Sequence, residues 1–101
     1  MISSAPRIRE AFAQDVRVSD ELLTVELVDG RSVSVPISWY PRLAHGTPEE
    51  RRNWRLIGRG EGIHWTDLDE DIRVEALLGG LRSAESQASF DRWLKERKPA
   101  S

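Results

Sequence analysis

The densest chemistry in the chain lies in His64-Trp65-Thr66-Asp67-Leu68-Asp69-Glu70-Asp71, where an imidazole, an indole and four carboxylates fall within eight residues. Asp67, Asp69 and Asp71 have the spacing of the first, third and fifth ligands of an EF-hand calcium loop. The sixth position would then be Ile72, where the sharp turn requires glycine, and the twelfth Leu78, where a bidentate glutamate belongs. That loop is excluded. Zinc takes about four thiolate or imidazole ligands, and the chain has no cysteine and only His45 and His64. Gly58-x-Gly60-x-Gly62 has no following lysine and precedes a strand-like segment, so it matches neither phosphate-binding fingerprint and reads as a turn. No Gly-x-Ser-x-Gly elbow is present. The residue types therefore give no catalytic residue, no metal ligand set and no cofactor. Two readings of the acidic run remain. Its carboxylates can satisfy the free backbone donors of a following helix, or they can form the rim of a recognition surface around an aromatic anchor. We take the second as the functional expectation, with His64, Trp65, Asp67, Asp69, Glu70 and Asp71 as the partner-binding surface. A metal-assisted enzyme with His64 as acid or base beside the aspartates is the residual alternative.

Charge bounds the partner. With 101 residues and a formal net charge of −2, the chain lacks the basic excess usual in nucleic-acid binders. The charges are nonetheless segregated: Arg42, Arg51, Arg52, Arg55 and Arg59 in the middle, the acids from Asp67 to Glu75 after them, and Arg92, Lys95, Arg97 and Lys98 at the end. Such a distribution suits a charged partner or self-association, and it also fits solvated faces that happen to cluster. Arg42, Arg51, Arg52 and Arg55, with Trp39, are secondary candidates, and the arginines of the helix after Thr47 are the basis of an alternative reading as a DNA-associated regulator. The start of the chain, MISSAPRIREAFAQ, has charges where a signal peptide needs an apolar stretch, and no apolar run approaches the roughly 20 residues that span a bilayer. No membrane is expected, and the expected compartment is the cytoplasm.

The elements that must position these residues follow from hydrophobic periodicity. Residues 1–12 lack it and are expected to form a flexible arm ahead of a single domain over 13–98. Val16 and Val18, then Leu23, Val25 and Leu27, alternate with polar neighbours, as in strands buried on one face. Asp29-Gly30 marks a hairpin. A three-residue loop, Val28-Asp29-Gly30, pairs Val25 with Val33 and Leu23 with Val35 and keeps all four on one face, whereas a two-residue loop splits them. That register needs Gly30 in the left-handed region. Pro36 ends the ladder, and the segment from Pro36 to Leu43, with two prolines and two aromatics, is expected to cross the sheet's open end extended. Thr47-Pro48-Glu49-Glu50 opens a helix running to about Trp54, with Thr47 as N-cap and Pro48 at its first position. Trp54–Ile57 is expected to pair with Gly62–Trp65 across the glycine turn. Val74, Leu77 and Leu78 make one apolar helix face that ends at Gly79-Gly80. A last helix, starting near Ser83 or Ser86, buries Phe90, Trp93 and Leu94. The fold class is thus α+β: a small antiparallel sheet, made of an N-terminal meander and a second short hairpin, packed with two or three short helices.

Several of these segments together are distinctive. Gly62-Ile63-His64-Trp65, Leu68-Asp69-Glu70-Asp71-Ile72 and Val74-Glu75-x-Leu77-Leu78-x-Gly80 resemble the bacterial family known as domain of unknown function 2442. The resemblance extends upstream to Asp29-Gly30, Pro41-Arg42-Leu43 and Thr47-Pro48-Glu49-Glu50-Arg51, covering roughly residues 13–80. Thr66 stands where the family tends to have proline, and Arg73 where it tends to have serine, which leaves Asp71 as the candidate cap of the short helix. The resemblance implies a small α+β fold with an antiparallel sheet and supplies no catalytic residue or cofactor. It further implies an antitoxin-like setting, since members are often encoded beside a small partner protein in toxin–antitoxin-like pairs. Some members carry a helix-turn-helix after this domain. Here only about twenty residues follow Gly80, too few for that unit, so the Phe90-Trp93-Leu94 helix is expected to be core or, failing that, a partner-docking helix. The expected function is a non-enzymatic binding module for a small partner protein or for a second copy of itself.

Overall fold

The computed structural model describes residues 11–97. The expected arm lies outside them for its first ten residues, as do Lys98 and Pro99; Ala11 is buried, and the Phe12 carbonyl accepts from Val28 N at 2.8 Å.

Alternation builds the first sheet. Strands β1 (Ala13–Val18), β2 (Leu22–Leu27) and β3 (Ser32–Pro36) form an antiparallel meander in that order. Leu23, Val25 and Leu27 point inward from the central strand and are almost completely buried. Val25 faces Val33 and Leu23 faces Val35, the register that a Val28-Asp29-Gly30 loop demands. Gly30 supplies the left-handed residue at φ +96°, and its N–H closes the turn on the Leu27 carbonyl at 3.0 Å.

The second sheet goes beyond the expected hairpin. Strands β4 (Trp54–Ile57) and β5 (Gly62–Trp65) pair as expected, with Leu56 opposite Ile63. The acidic run does not cap a helix, however. Glu70–Arg73 extends as a third antiparallel strand, β6, on the free edge of β5, pairing Ile63 with Ile72 and His64 with Asp71. The reason is Ile72. Lying between exposed Asp71 and Arg73, it is the one apolar residue of the segment, and an extended backbone carries it into the core at 2% exposure. The short helix after this strand, α3 (Val74–Leu78), therefore starts from an extended Arg73 whose side chain makes no capping bond, and Asp71 is not its cap.

The sheets meet where Ala13 N donates to the Gly60 carbonyl at 2.8 Å, and they share a core whose largest fully buried side chains include Trp65, Leu23, Leu27, Leu43, Ile63 and Leu68. Between them, the segment after Pro36 is helical and not the extended crossing expected. A 3-10 turn over Ile37–Trp39 leads into α1 (Pro41–Ala44), in which Pro41 takes the first helical position that its fixed φ favours. Helix α2 (Pro48–Arg52) opens with a reciprocal capping box: Glu50 N donates to Thr47 Oγ1 at 3.1 Å, and Thr47 N donates to Glu50 Oε1 at 2.8 Å. It ends two residues earlier than expected because Trp54 belongs to β4. Gly80, at φ +75°, follows α3. Helix α4 (Gln87–Glu96) starts from Ser86, whose hydroxyl accepts from Ser89 N at 3.1 Å. Phe90 is buried against the edge of His45, at 5.1 Å between rings, while Trp93 and Leu94 are half-buried. The result is an α+β fold of two three-stranded antiparallel sheets and several short helices.

Candidate functional site

The period of a strand decides what the acidic run presents. Because β5 and β6 are extended, neighbouring side chains point to opposite faces, and the six expected partner-binding residues do not share one surface. Trp65 and Glu70 project inward, His64 and Asp71 outward, and Asp67 and Asp69 sit in the connecting turn. Trp65 is corrected outright: it is fully buried, and its indole Nε1 donates to the Arg51 carbonyl at 3.0 Å. It is a core residue, satisfied at its one polar atom, and not a surface anchor.

On the outer face, Arg55, His64 and Asp71 stand side by side across three strands. His64 Nδ1 lies 2.5 Å from Asp71 Oδ1, with the histidine side chain 20% and the aspartate 66% exposed. This cross-strand pair has one side to solvent, with exposed Arg55 adjacent.

At the tip, Asn53 Nδ2 donates to Asp67 Oδ2 at 2.9 Å. Leu68 is fully buried and anchors the turn. Asp69 takes a positive φ of 49°, a conformation that aspartate tolerates better than most residues, with its side chain 89% exposed. Arg42 braces the turn from within: Nη1 donates to the Leu68 and Asp69 carbonyls at 3.3 and 3.1 Å, and the remaining nitrogens grip the Glu85 carboxylate, Nε at 2.9 Å. Glu85 is held below the usual carboxylate range by that guanidinium. Glu70, inward and beside this pair, is pushed up to about 7, chiefly by burial; Arg42 opposes the rise, and the carboxylates of Glu85, Asp71 and Asp69 add to it.

The secondary candidates divide the same way. Arg51 is 7% exposed, donating from Nε to the Leu43 carbonyl and from Nη2 to the Ala44 carbonyl, each at 2.9 Å, and from Nη1 to Asp20 at 2.7 Å. Arg42 is occupied as described. Trp39 is half-buried under the Arg82 guanidinium, 5.0 Å from the ring centroid. Arg52 and Arg55 are exposed. Of the arginines of the helix after Thr47, on which the DNA-associated reading rests, Arg51 is thus spent inside the fold and Arg52 faces solvent. Among the described residues no three His, Asp or Glu side chains come together as a metal ligand set.

Sequence reasoning missed one feature, an open cleft of about 330 Å³ lined by Glu50, Asp67, Trp93, Glu96 and Arg97. Its residues come from α2, the β5–β6 turn and the end of α4. No local motif joins positions so far apart in the chain; the charge of the last helix is the only trace of it in the sequence.

The comparisons with known proteins agree with this architecture. The family model described as protein of unknown function (DUF2442) matches residues 13–83. The chain belongs to that family. A solved structure of a protein of unknown function from Rhodospirillum rubrum is similar over 78% of this chain and 95% of its own, at 23% identity and a TM-score of 0.65. The solution NMR structure of an uncharacterized protein from Chromobacterium violaceum is similar over 89% of this chain and 79% of its own, at 23% identity and a TM-score of 0.61. At such identity the likeness shows the fold alone. Among curated proteins none matches. Both sheets, α3 and the acidic turn lie within the DUF2442 match, whereas Glu85 and α4 lie beyond it. Among the described residues no helix is long and apolar enough to cross a membrane.

Proposed function

We propose that this DUF2442 protein is a non-enzymatic, antitoxin-like binding module that engages a small basic partner protein through the tip and outer face of the β5–β6 hairpin. The observation that carries the reading is the way the tip is held. Arg42 fixes the backbone at Leu68 and Asp69 from inside, while the Asp69 and Asp71 side chains stand 89% and 66% exposed. Carboxylates displayed on a braced turn lose little conformational freedom when a cationic surface docks, and their sign steers such a partner toward the hairpin. The interface residues are then His64, Asp67, Asp69 and Asp71, with Arg55 at the margin; Trp65 and Glu70 support them from within. The proposal includes a bacterial cytoplasmic setting.

The test uses tagged wild-type protein and the Asp69→Asn/Asp71→Asn variant, each first shown to melt cooperatively, as baits in the native host. Any captured protein is identified, purified and titrated against both forms. The proposal expects a basic protein whose affinity falls tenfold or more in the variant. Equal affinity for both forms of the bait would place the interface off the hairpin and overturn the proposal. A wild-type homodimer that the variant fails to form would assign the same surface to a second copy of the chain.

A further inference from the structure

The outer face of the second sheet brings together three groups that no local motif announces. The ladder sets Arg55 of β4 beside His64 of β5, and His64 beside Asp71 of β6. His64 Nδ1 lies 2.5 Å from Asp71 Oδ1. An ionised carboxylate only accepts, so Nδ1 carries the proton, and in the neutral ring the lone pair is on Nε2. Among the described residues Nε2 has no hydrogen-bond partner, and no unpartnered nitrogen of a half-buried side chain is itself buried, so Nε2 reaches solvent. The next outward position on β5 is Gly62, which has no side chain to shield the ring on that side.

Arg55 is exposed and, among the described residues, makes no ion pair. Facing residues of neighbouring strands sit about 5 Å apart at Cβ, which puts its guanidinium within reach of a group held on the ring. A ring nitrogen whose tautomer is fixed by a carboxylate, next to an unoccupied guanidinium fork, has what a histidine needs to accept a phosphoryl group. The nitrogen attacks phosphorus, the carboxylate offsets the positive charge the ring acquires, and the guanidinium takes the phosphoryl oxygens.

We propose that His64 is a phosphoryl-accepting residue, modified at Nε2 by an acyl phosphate, with Asp71 positioning the ring and Arg55 binding the phosphoryl oxygens. The Nε2 lone pair forms the nitrogen–phosphorus bond as the bond from phosphorus to the acyl oxygen breaks. The carboxylate leaves with that electron pair, and Nδ1 keeps its proton against Asp71. An acyl phosphate suits the site because its carboxylate departs without an acid to protonate it, and the face supplies only a nucleophile, a carboxylate and a cation. The inference goes beyond the protein-binding reading and does not rest on it: a phosphoryl group on His64 adds a charge of about −2 to the outer face, whatever docks there.

His45 is a control built into the chain. Its Nδ1 lies 3.0 Å from the Pro41 carbonyl oxygen, so its lone pair is likewise on Nε2, and it is more exposed than His64. It has a neutral acceptor where His64 has a carboxylate. Accessibility alone therefore favours His45.

The experiment incubates full-length protein with acetyl phosphate near neutral pH. Intact mass follows the reaction, and phosphorus and long-range imidazole proton–nitrogen spectra place the group on its residue and ring nitrogen. The expected product is one acid-labile phosphoryl group on Nε2 of His64, formed about tenfold faster than on His45, the scale of one charge-assisted contact. Asp71→Ala frees Nδ1, so it should slow the reaction by about the same factor and give both ring isomers, a ratio that a merely structural aspartate would not move. Arg55→Gln should raise the acetyl phosphate concentration needed for half-maximal rate, and His45→Gln should leave the reaction at His64 unchanged. No reaction at His64, equal rates at the two histidines, an Nδ1 product in the wild type, or an unchanged rate and isomer in Asp71→Ala would each overturn the proposal. The comparison of the two histidines is made in wild-type protein, so it stands even where a variant fails to fold.

Discussion

The joint between the two sheets predicts a large difference between two glycines that look alike in dihedral angle. Gly30 and Gly60 both have positive φ, +96° and +106°. Replacing either with alanine forces a side chain into backbone space that L-residues avoid, at roughly 1–2 kcal/mol. At Gly30 that is the whole cost, because a Cβ there meets nothing within 4 Å. At Gly60 a Cβ would stand 2.5 Å from the Ala13 carbonyl oxygen and 3.0 Å from the Ala13 nitrogen, both backbone atoms of β1. Relief requires β1 and the β4–β5 turn to separate, which breaks the 2.8 Å bond from Ala13 N to Gly60 O. That bond contributes about 1 kcal/mol, and forced displacement in a packed region adds about 1–3 kcal/mol. Gly60→Ala should therefore cost about 3–6 kcal/mol and Gly30→Ala about 1–2 kcal/mol, against a total stability of ~5–15 kcal/mol for a domain of this size. Urea denaturation of both variants beside wild type, at constant m-value, measures the difference. Equal destabilisation of the two would refute the argument, because it would leave φ as the only cost and remove the steric joint between the sheets.

The other predictions concern charge and capping. Glu70, with its folded pKa raised to about 7 from an ordinary 4.5, binds more protons folded than unfolded between those values. Its contribution is fully favourable below about 4.5 and is lost as pH rises through 7, by roughly 2 kcal/mol after allowance for partial exposure. Glu70→Gln should thus be nearly neutral at pH 5 and stabilising at pH 8, and parallel stability–pH curves for variant and wild type would refute the assignment. Arg51→Ala, which leaves the Leu43 and Ala44 carbonyls without their buried donor, should cost ~2–4 kcal/mol in denaturant unfolding. Arg51→Lys should rescue only part of that loss, since an ammonium lacks the fork. Thr47→Ala, which removes one half of the capping box, should cost ~1 kcal/mol and should speed hydrogen exchange at the Glu50 amide. Asp71→Asn should cost under ~1 kcal/mol, its pair with His64 being largely solvent-facing, so a binding defect in that variant can be read as contact loss.

What the sequence made legible was everything set by local period. The β2–β3 register followed from keeping Leu23, Val25, Val33 and Val35 on one face, and the Thr47 N-cap and the β4–β5 hairpin followed from residue types a few positions apart. The misreading of the acidic run has one cause. Between Asp69 and Arg73 a single apolar residue, Ile72, carries the strand signal, while four acids ahead of an apolar helix face imitate a capping segment. One residue gives no measurable alternation, so local chemistry suggested a cap. The tertiary gain of pairing Ile72 with Ile63 and burying both decided for a strand. The segment after Pro36 went the other way: its prolines were read as breakers, but Pro41 stands at the first position of a helix, where proline is at ease.

That one decision, strand over cap, also sets what the candidate site can be. A helix cap would have turned the carboxylates toward backbone N–H groups and spent them there. A strand sends Glu70 inward and Asp71 outward, so the same run supplies a half-buried acid beside Arg42 and Glu85 and a solvent-facing acid beside His64. Arg42 then links the two levels. Its guanidinium holds the turn carbonyls and Glu85, and it also lies 5.2 Å from the Trp93 ring centroid. Whatever docks on the hairpin tip consequently meets a turn mechanically tied to α4, and whatever enters the cleft meets an indole held by the same arginine. Arg42→Lys keeps the charge but gives up the fork to Glu85, so it should loosen both surfaces together. Its distinguishing sign is a simultaneous change at the Asp69 amide and the Trp93 indole in the unliganded spectrum. A change at one with the other unmoved would show that tip and cleft are independent, and that Arg42 only fills space between them.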